Sequence, residues 1–324
     1  MALRRLSTIP YGVLVRGGNL TVNNQTWAQM WAAWDWTGWI KFQIDALKAL
    51  GGNCVRIIGG PLAAVDGTIS QATYLARWAQ FLDYTAAQGV LAYPCGGDFG
   101  PDHWGSMTDS QATAIWTAWA DLCDDYPHVI GMDISNEGVS QGIAAGLTQS
   151  QVLTRMTMLA NAVRTVSTKP IAHSRAFDDN YWANTFGGDI RPISDFHDIH
   201  VYYDALTPTH VDALINSPWG DLPILLGEFG AYGITHTTEQ RTGRYSAAKA
   251  VVEQRTEVIG ALAWAITDTN TGTWGTSGLV APDGAVRTDI ADIFATMPTT
   301  RQIVFPRVVS ATVGGSPVVL DLLA

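Results

Sequence analysis

Residues 259–266 read IGALAWAI, a stretch without a single charge. It is too short for an ordinary globular helix, and it suits a strand covered on both faces. It is also the last of a series. Reading back from it, similar runs stand at 223–229 (PILLGEF), 196–202 (FHDIHVY), 170–174 (PIAHS), 129–136 (VIGMDISN), 90–95 (VLAYPC), 53–59 (NCVRIIG) and 11–18 (YGVLVRGG). Helical patterns lie between most of them. Residues 39–50 carry apolar side chains at i, i+3, i+4 and i+7, and helices are expected over 70–88, 109–123, 149–166, 239–258 and 285–295. Gly51-Gly52 and Gly89 stop two of these helices. Strands alternating with helices pair in parallel. Eight of them favour an α/β fold closed into a (β/α)8 TIM barrel over an open doubly wound sheet, and no GxGxxG follows a strand to support a dinucleotide fold.

The chain has 324 residues, more than the roughly 250 of a typical barrel of this kind. The barrel is expected to occupy residues 1–300. Residues 301–324 (RQIVFPRVVSATVGGSPVVLDLLA) differ in character: short β-branched runs are broken by Pro306, Gly314-Gly315 and Pro317. They read as an appended β-rich extension, either a strand pair capping the barrel or an arm that docks to another protein.

Composition narrows the function classes. Twenty-nine acidic residues against 19 basic ones leave a formal net charge of −10, so there is no basic footprint for nucleic acid. Cys54, Cys95 and Cys123 are odd in number and widely spaced, which suits small buried hydrophobes better than a zinc cluster or a disulfide framework. No metal or organic cofactor is expected. No run is long enough without charge to insert in a membrane. The start, MALRRLSTIPYG, lacks the apolar stretch of a signal peptide. The expectation is therefore a protein acting inside the cell, exported by another route, or carried on a virion, as a phage tail hydrolase would be.

Active sites of such barrels lie at the C-terminal ends of the strands. The fourth run ends in Asp133, Ser135, Asn136 and Glu137, and the seventh in Glu228. The second carries Arg56, the sixth His200 and Tyr202, and the eighth Trp264, with Asp268 beyond it. The fourth and seventh strands face each other across the barrel mouth, so their glutamates can converge. Two carboxyls about 5–5.5 Å apart suit a double displacement at a sugar, and about 6.5–9.5 Å a single one. Arg56 and Tyr202 beside Glu228 would keep it ionised. Glu137, facing that charge, would keep a proton, give it up, and then serve as the base for water. Asp98, Asp102, His103 and Trp104 after the third run, and His173 and Arg175 at the end of the fifth, are further candidates to touch substrate. Of the 13 tryptophans, more than half are expected in the core and the rest as platforms for sugar rings.

The strings GGNCVRII, DISNEG, HDIHVYY, LLGEFG and ALAWAI fall in order on the second, fourth, sixth, seventh and eighth runs. Together they resemble the clan of retaining (β/α)8 glycoside hydrolases, and most of all its cellulase and β-mannanase family, family 5, over residues 11–296. The resemblance implies Glu137 as acid/base, Glu228 as nucleophile, Asn136 on the sugar 2-hydroxyl, Arg56 and Tyr202 bonded to the nucleophile, His200 near the cleaved ring and Trp264 beneath it. The implied activity is retaining hydrolysis of a neutral polysaccharide or oligosaccharide. Ser135 and Gly138 stand where the family often has an aromatic residue and a proline. Pro94-Cys95-Gly96-Gly97-Asp98 replaces the segment that commonly carries a histidine, and this changes one wall of the site. Two other readings are a non-catalytic carbohydrate-binding or adhesion protein on the same barrel, and a barrel lyase or isomerase. A pure binder has no need of two facing carboxylates, and no metal-ligand cluster at the strand ends supports a metal-dependent lyase.

Overall fold

The computed structural model describes residues 5–98, 106–176, 191–202, 208–216, 220–231, 235–269, 276–301, 311–313 and 316–318. Its barrel strands are β1 (Val15–Asn19), β2 (Cys54–Ile58), β3 (Leu91–Cys95), β4 (Met132–Asp133), β5 (Ile171–Ala172), β6 (Arg175–Ala176), β7 (His197–Val201), β8 (Ile224–Phe229) and β9 (Val258–Ala263). They form one sheet in the order β5-β4-β3-β2-β1-β9-β8-β7-β6, with parallel pairing throughout. The two ends of that order, β5 and β6, are separated in the chain only by His173 and Ser174. They are two halves of one strand, the run expected at 170–174. The sheet thus closes through its own backbone, and nine segments make the eight strands of a TIM barrel.

The helices are α1 (Trp27–Ala33), α2 (Lys41–Ala49), α3 (Leu62–Val65), α4 (Gln71–Ala87), α5 (Asp109–Asp124), α6 (Gly138–Ala144), α7 (Gln149–Arg164), α8 (Pro208–Ile215), α9 (Thr238–Gln254) and α10 (Thr288–Ala295). Four of them begin with the same capping box, Thr-x-x-Gln, in which the threonine oxygen accepts the N3 backbone N–H and the glutamine reaches back: Thr26/Gln29, Thr108/Gln111, Thr148/Gln151 and Thr237/Gln240. The helix expected from residue 39 is preceded by a π-helical turn over Trp36–Ile40, nucleated where the Asp35 side chain accepts the Gly38 N–H. The first strand starts at Val15, later than expected, because Pro10 and Gly12, at φ 79°, turn the chain before it.

Two cores result. The larger lies between sheet and helices and includes Trp31, Trp78, Trp116 and Trp119, all buried. The smaller fills the barrel interior, where Val15, Cys54, Tyr93, Ala172, Leu225 and Leu262 meet from different strands, and Leu6 and Ile9 join them. All three cysteines are buried and unpaired, as their spacing suggested. Among the described residues no helix is long and apolar enough to cross a membrane. In the C-terminal segment, β10 (Ala311–Val313) and β11 (Ser316–Val318) pair with each other, antiparallel, and form a sheet separate from the barrel.

Candidate active site

Arg56, fully buried on β2, organises the barrel mouth. Its Nη1 donates to Glu228 Oε1 at 2.6 Å and to Asn19 Oδ1 at 2.8 Å. Its Nη2 donates to Asp133 Oδ2 at 2.7 Å and Asn136 Oδ1 at 2.8 Å. One cation thereby ties together β1, β2, β4, the turn after β4, and β8. Burial opposes the Asp133 carboxylate, but the Arg56 charge and hydrogen bond outweigh it and hold that carboxyl below the usual range. Removing one partner of such a buried set costs about 3–5 kcal/mol, because the others are left uncompensated.

Glu228 is almost buried. Its second oxygen accepts a hydrogen bond from the Tyr202 hydroxyl. The expected contacts of Arg56 and Tyr202 are therefore both present. Both favour the charged form, as expected, but burial outweighs them: it pushes the Glu228 carboxyl above its ordinary range, with the Glu137 charge adding to it, against the pull of His200, Arg56 and Tyr202. Gly227, just before it, has no room for a side chain, since a Cβ there would lie 1.8 Å from Asp198 Oδ1.

Glu137 stands on different ground. The run expected at 129–136 pairs regularly only at Met132 and Asp133, and single bridges extend it, Val129 with Ala92 and Asn136 with Asp98. The chain then turns, and Glu137 takes a left-handed backbone conformation, φ 45° and ψ 38°, uncommon for a residue with a side chain. Ser174 secures the turn: its hydroxyl accepts the Glu137 N–H at 3.1 Å and donates to the Ser135 carbonyl at 3.2 Å. Glu137 Oε1 lies 2.8 Å from His200 Nδ1, and that nitrogen lies 3.4 Å from Glu228 Oε2. One carboxylate oxygen of each glutamate and a ring nitrogen of His200 fall within 4.8 Å of one another. Two carboxylates and an imidazole could in principle accept a divalent cation. Here Arg56 and Tyr202 already engage both oxygens of Glu228, and Glu137 shares its oxygen with His200, so the donor set fits shared protons better. Burial lowers the His200 pKa, which favours a neutral ring.

A cavity of about 350 Å³ opens above this cluster. Of the expected site residues, Asp98, Asn136, Glu137, Tyr202, Glu228 and Trp264 line it, and Arg56 and His200 lie buried beneath. His173 and Arg175 are not in the described lining. His173 is buried, with Nδ1 3.0 Å from Ser135 Oγ, and Arg175 is nearly so. The fifth strand is split at His173–Ser174, and its second half pairs Arg175 with Ile199 and Ala176 with His200 of β7. Asp268 anchors a loop, accepting from the Gly278 N–H and from Arg287. Asp102, His103 and Trp104 fall outside the described residues. Trp27, Gln141 and Thr269 line the cavity without having been expected there. Trp27 is one of five tryptophans between residues 27 and 39, but nothing in its spacing separates it from Trp31 and Trp39, which are buried.

The departures from the family pattern prove to be coupled. A Cβ at Gly138 would lie 2.3 Å from Ser135 Oγ and 2.6 Å from Met156 Cε, so the small residues at 135 and 138 fit each other and His173 behind them. Beside them, Gly97 O accepts the Asn136 N–H at 3.0 Å, and Asp98 Oδ1 lies 3.5 Å from Asn136 Nδ2. The loop after β3 thus supports Asn136.

No protein-family model matches the sequence, and no curated protein matches it. Solved structures do share the fold. An exo-β-1,4-mannosidase from Opitutaceae bacterium strain TAV5 superposes with a TM-score of 0.73 at 19% identity, over 92% of this chain and 62% of its own. This chain thus spans less than two thirds of that enzyme. A GH5_18 protein from Streptomyces cattleya, solved in complex with Manβ1-4GlcNAc, gives 0.69 at 17% identity, over 88% and 82% of the two chains. A β-glucuronidase of Bacteroides uniformis gives 0.62 at 13% identity, over 88% and 35%. At these identities the likeness is one of fold.

Proposed function

We propose that this protein is a retaining glycoside hydrolase acting on neutral β-linked sugars, with β-mannosides the first substrates to try. The observation that carries the reading is the pair Glu137 and Glu228, with oxygens inside 4.8 Å at the floor of a cavity, close to the spacing of roughly 5–5.5 Å used for double displacement. Glu228 attacks the anomeric carbon while Glu137 protonates the departing glycosidic oxygen. Glu137 then takes a proton from water, whose oxygen displaces Glu228 and restores the enzyme. Asn136 lines the cavity and is proposed to bond the sugar beside the cleaved linkage, with Trp264 and Trp27 in the same wall as its stacking platforms. No lysine or arginine is in the described lining, which instead carries Asp98, Glu137 and Glu228. That lining favours an uncharged sugar over a uronate. The mannoside preference draws on the names of the fold neighbours above. Residues 301–324 are read as an extension of the barrel, either a cap on it or an arm that docks another protein, and the β10–β11 pair is the part of it described.

The test is a panel of β-1,4-mannobiose, cellobiose and the matching polysaccharides, digested by wild type and Glu228→Ala, with the first-formed anomer followed by NMR. Cleavage by wild type alone with retained configuration is expected. Equal cleavage by the variant, or an inverted product, overturns the mechanism. Binding without cleavage by wild type would favour the carbohydrate-binding reading.

A further inference from the structure

Beneath the catalytic pair lies a buried acid that the mechanism above does not use. Asp198 sits on β7, two residues before His200, and both point into the barrel. Its Oδ2 accepts the Tyr93 hydroxyl at 2.6 Å. Its Oδ1 faces His200 Nε2 at 3.8 Å, too far for a formed hydrogen bond. Yet both atoms are buried, and neither has another hydrogen-bond partner among the described residues. The other face of the same imidazole reaches Glu137. The result is a row across the barrel interior: Tyr93, Asp198, His200, Glu137.

A neutral imidazole carries its single proton on one nitrogen, and the two choices have opposite effects on its neighbours. We propose that Asp198 is a positioning residue that acts through His200 on Glu137: its carboxylate holds the imidazole proton on Nε2, so that the Nδ1 lone pair accepts a hydrogen bond from the protonated carboxyl of Glu137. The proposal rests on the glycosidase reading for its consequence in catalysis. When Glu137 gives its proton to the glycosidic oxygen, a lone pair and a carboxylate are left facing each other. That repulsion favours uptake of the next proton, which the attacking water supplies. With Asp198 neutralised, the ring is free to carry its proton on Nδ1, donate to Glu137 and stabilise the carboxylate, the wrong form for an acid.

The charges around Asp198 fit this arrangement. Arg56 on β2, Asp133 on β4, Tyr93 on β3 and His200 on its own strand act on it, and β8 presents Gly227 to it. Burial pushes its pKa up to about 6, so the carboxylate forms in the range where such an enzyme would work. The His200 pKa is lowered by burial, which makes a choice between neutral tautomers the relevant one.

The experiment has two arms on the full-length protein. In the first, kcat/KM on β-1,4-mannobiose, whose poor leaving group needs the acid, is followed against pH. Asp198→Asn is expected to move the alkaline limb down by roughly one pH unit, the usual scale for losing a nearby charge. Tyr93→Phe, which removes the donor that stabilises the carboxylate, should move it the same way by less. In the second arm, ¹⁵N-histidine NMR, with the His200 signal identified by its loss in His200→Gln, should show the proton on Nε2. A folded Asp198→Asn protein with an unmoved alkaline limb overturns the proposal, as does a wild-type ring protonated on Nδ1. If Asp198→Asn fails to fold, Tyr93→Phe and the wild-type spectrum decide. If wild type cleaves nothing, the glycosidase reading fails by itself, and the NMR arm still decides the proton's place.

Discussion

The ends of β4 and β8 carry the same side chain and treat it in opposite ways. Glu228 lies within a six-residue strand that stays paired on both sides although its register shifts beside Gly227, and it is buried, with a cation on one oxygen and a phenol on the other. Glu137 lies four residues past a strand that pairs regularly over only two, on a left-handed backbone, with 22% of its side chain exposed. A nucleophile must meet one carbon along one line, and a rigid strand with two fixed bonds provides that. A proton carrier must reach both a leaving oxygen and an incoming water. The irregular turn lifts Glu137 toward the cavity while His200 keeps hold of one oxygen.

The sharpest way to test that contrast is to remove each carboxylate. Glu228→Ala should lower kcat on the order of 10⁴-fold or more, as loss of a covalent nucleophile does elsewhere. Glu137→Ala should lose about 10²–10⁴-fold on mannobiose, and much less on an aryl glycoside whose leaving group needs no proton. Equal losses on both substrates would erase the division of labour. The raised Glu228 carboxyl implies that the acid limb of kcat/KM lies above the ordinary glutamate value of about 4.3, because protonation of the nucleophile abolishes attack. A limb at or below that value would mean that Arg56 and Tyr202 outweigh burial.

The supports behind the two ends should also differ. His173, behind the β4 turn, is buried and its pKa is depressed to about 4. The unfolded chain therefore binds a proton there that the native state refuses. Stability should fall as pH drops from about 6.5 towards 4, by roughly 3 kcal/mol in all. His173→Gln should flatten that part of a urea-midpoint profile. Behind Glu228 the support is steric: the Gly227 backbone packs directly against Asp198. Gly227→Ala would drive a methyl into Asp198 and should cost about 1–3 kcal/mol at any pH. A pH-dependent cost there would show that Asp198 relaxes by changing its protonation.

Much of this was legible in the residues. Short apolar runs separated by helical periods implied eight parallel strands, and strand-end polarity picked out Arg56, Asn136, Glu137, His200, Tyr202 and Glu228, which the fold brings together. His173 and Arg175 were read as further substrate contacts at the end of the fifth strand; both are buried, and neither is in the described lining of the cavity. Asn19, Ser174 and Tyr93 carried no signal, because a polar residue in or beside an apolar run looks alike whether it serves the site or satisfies the backbone. Asp198 was visible as an acid inside FHDIHVY, but its partners are remote in sequence.

By itself the sequence determined the barrel, since alternating strand and helix periods leave few ways to bury both faces of a sheet, and it determined which carboxylates stand at strand ends. Only the tertiary structure decided how those carboxylates differ. Their charges depend on burial, on one arginine shared among several strands, and on a histidine with an acid beneath it. These are distances through space between residues far apart in the chain, and no spacing along it encodes them.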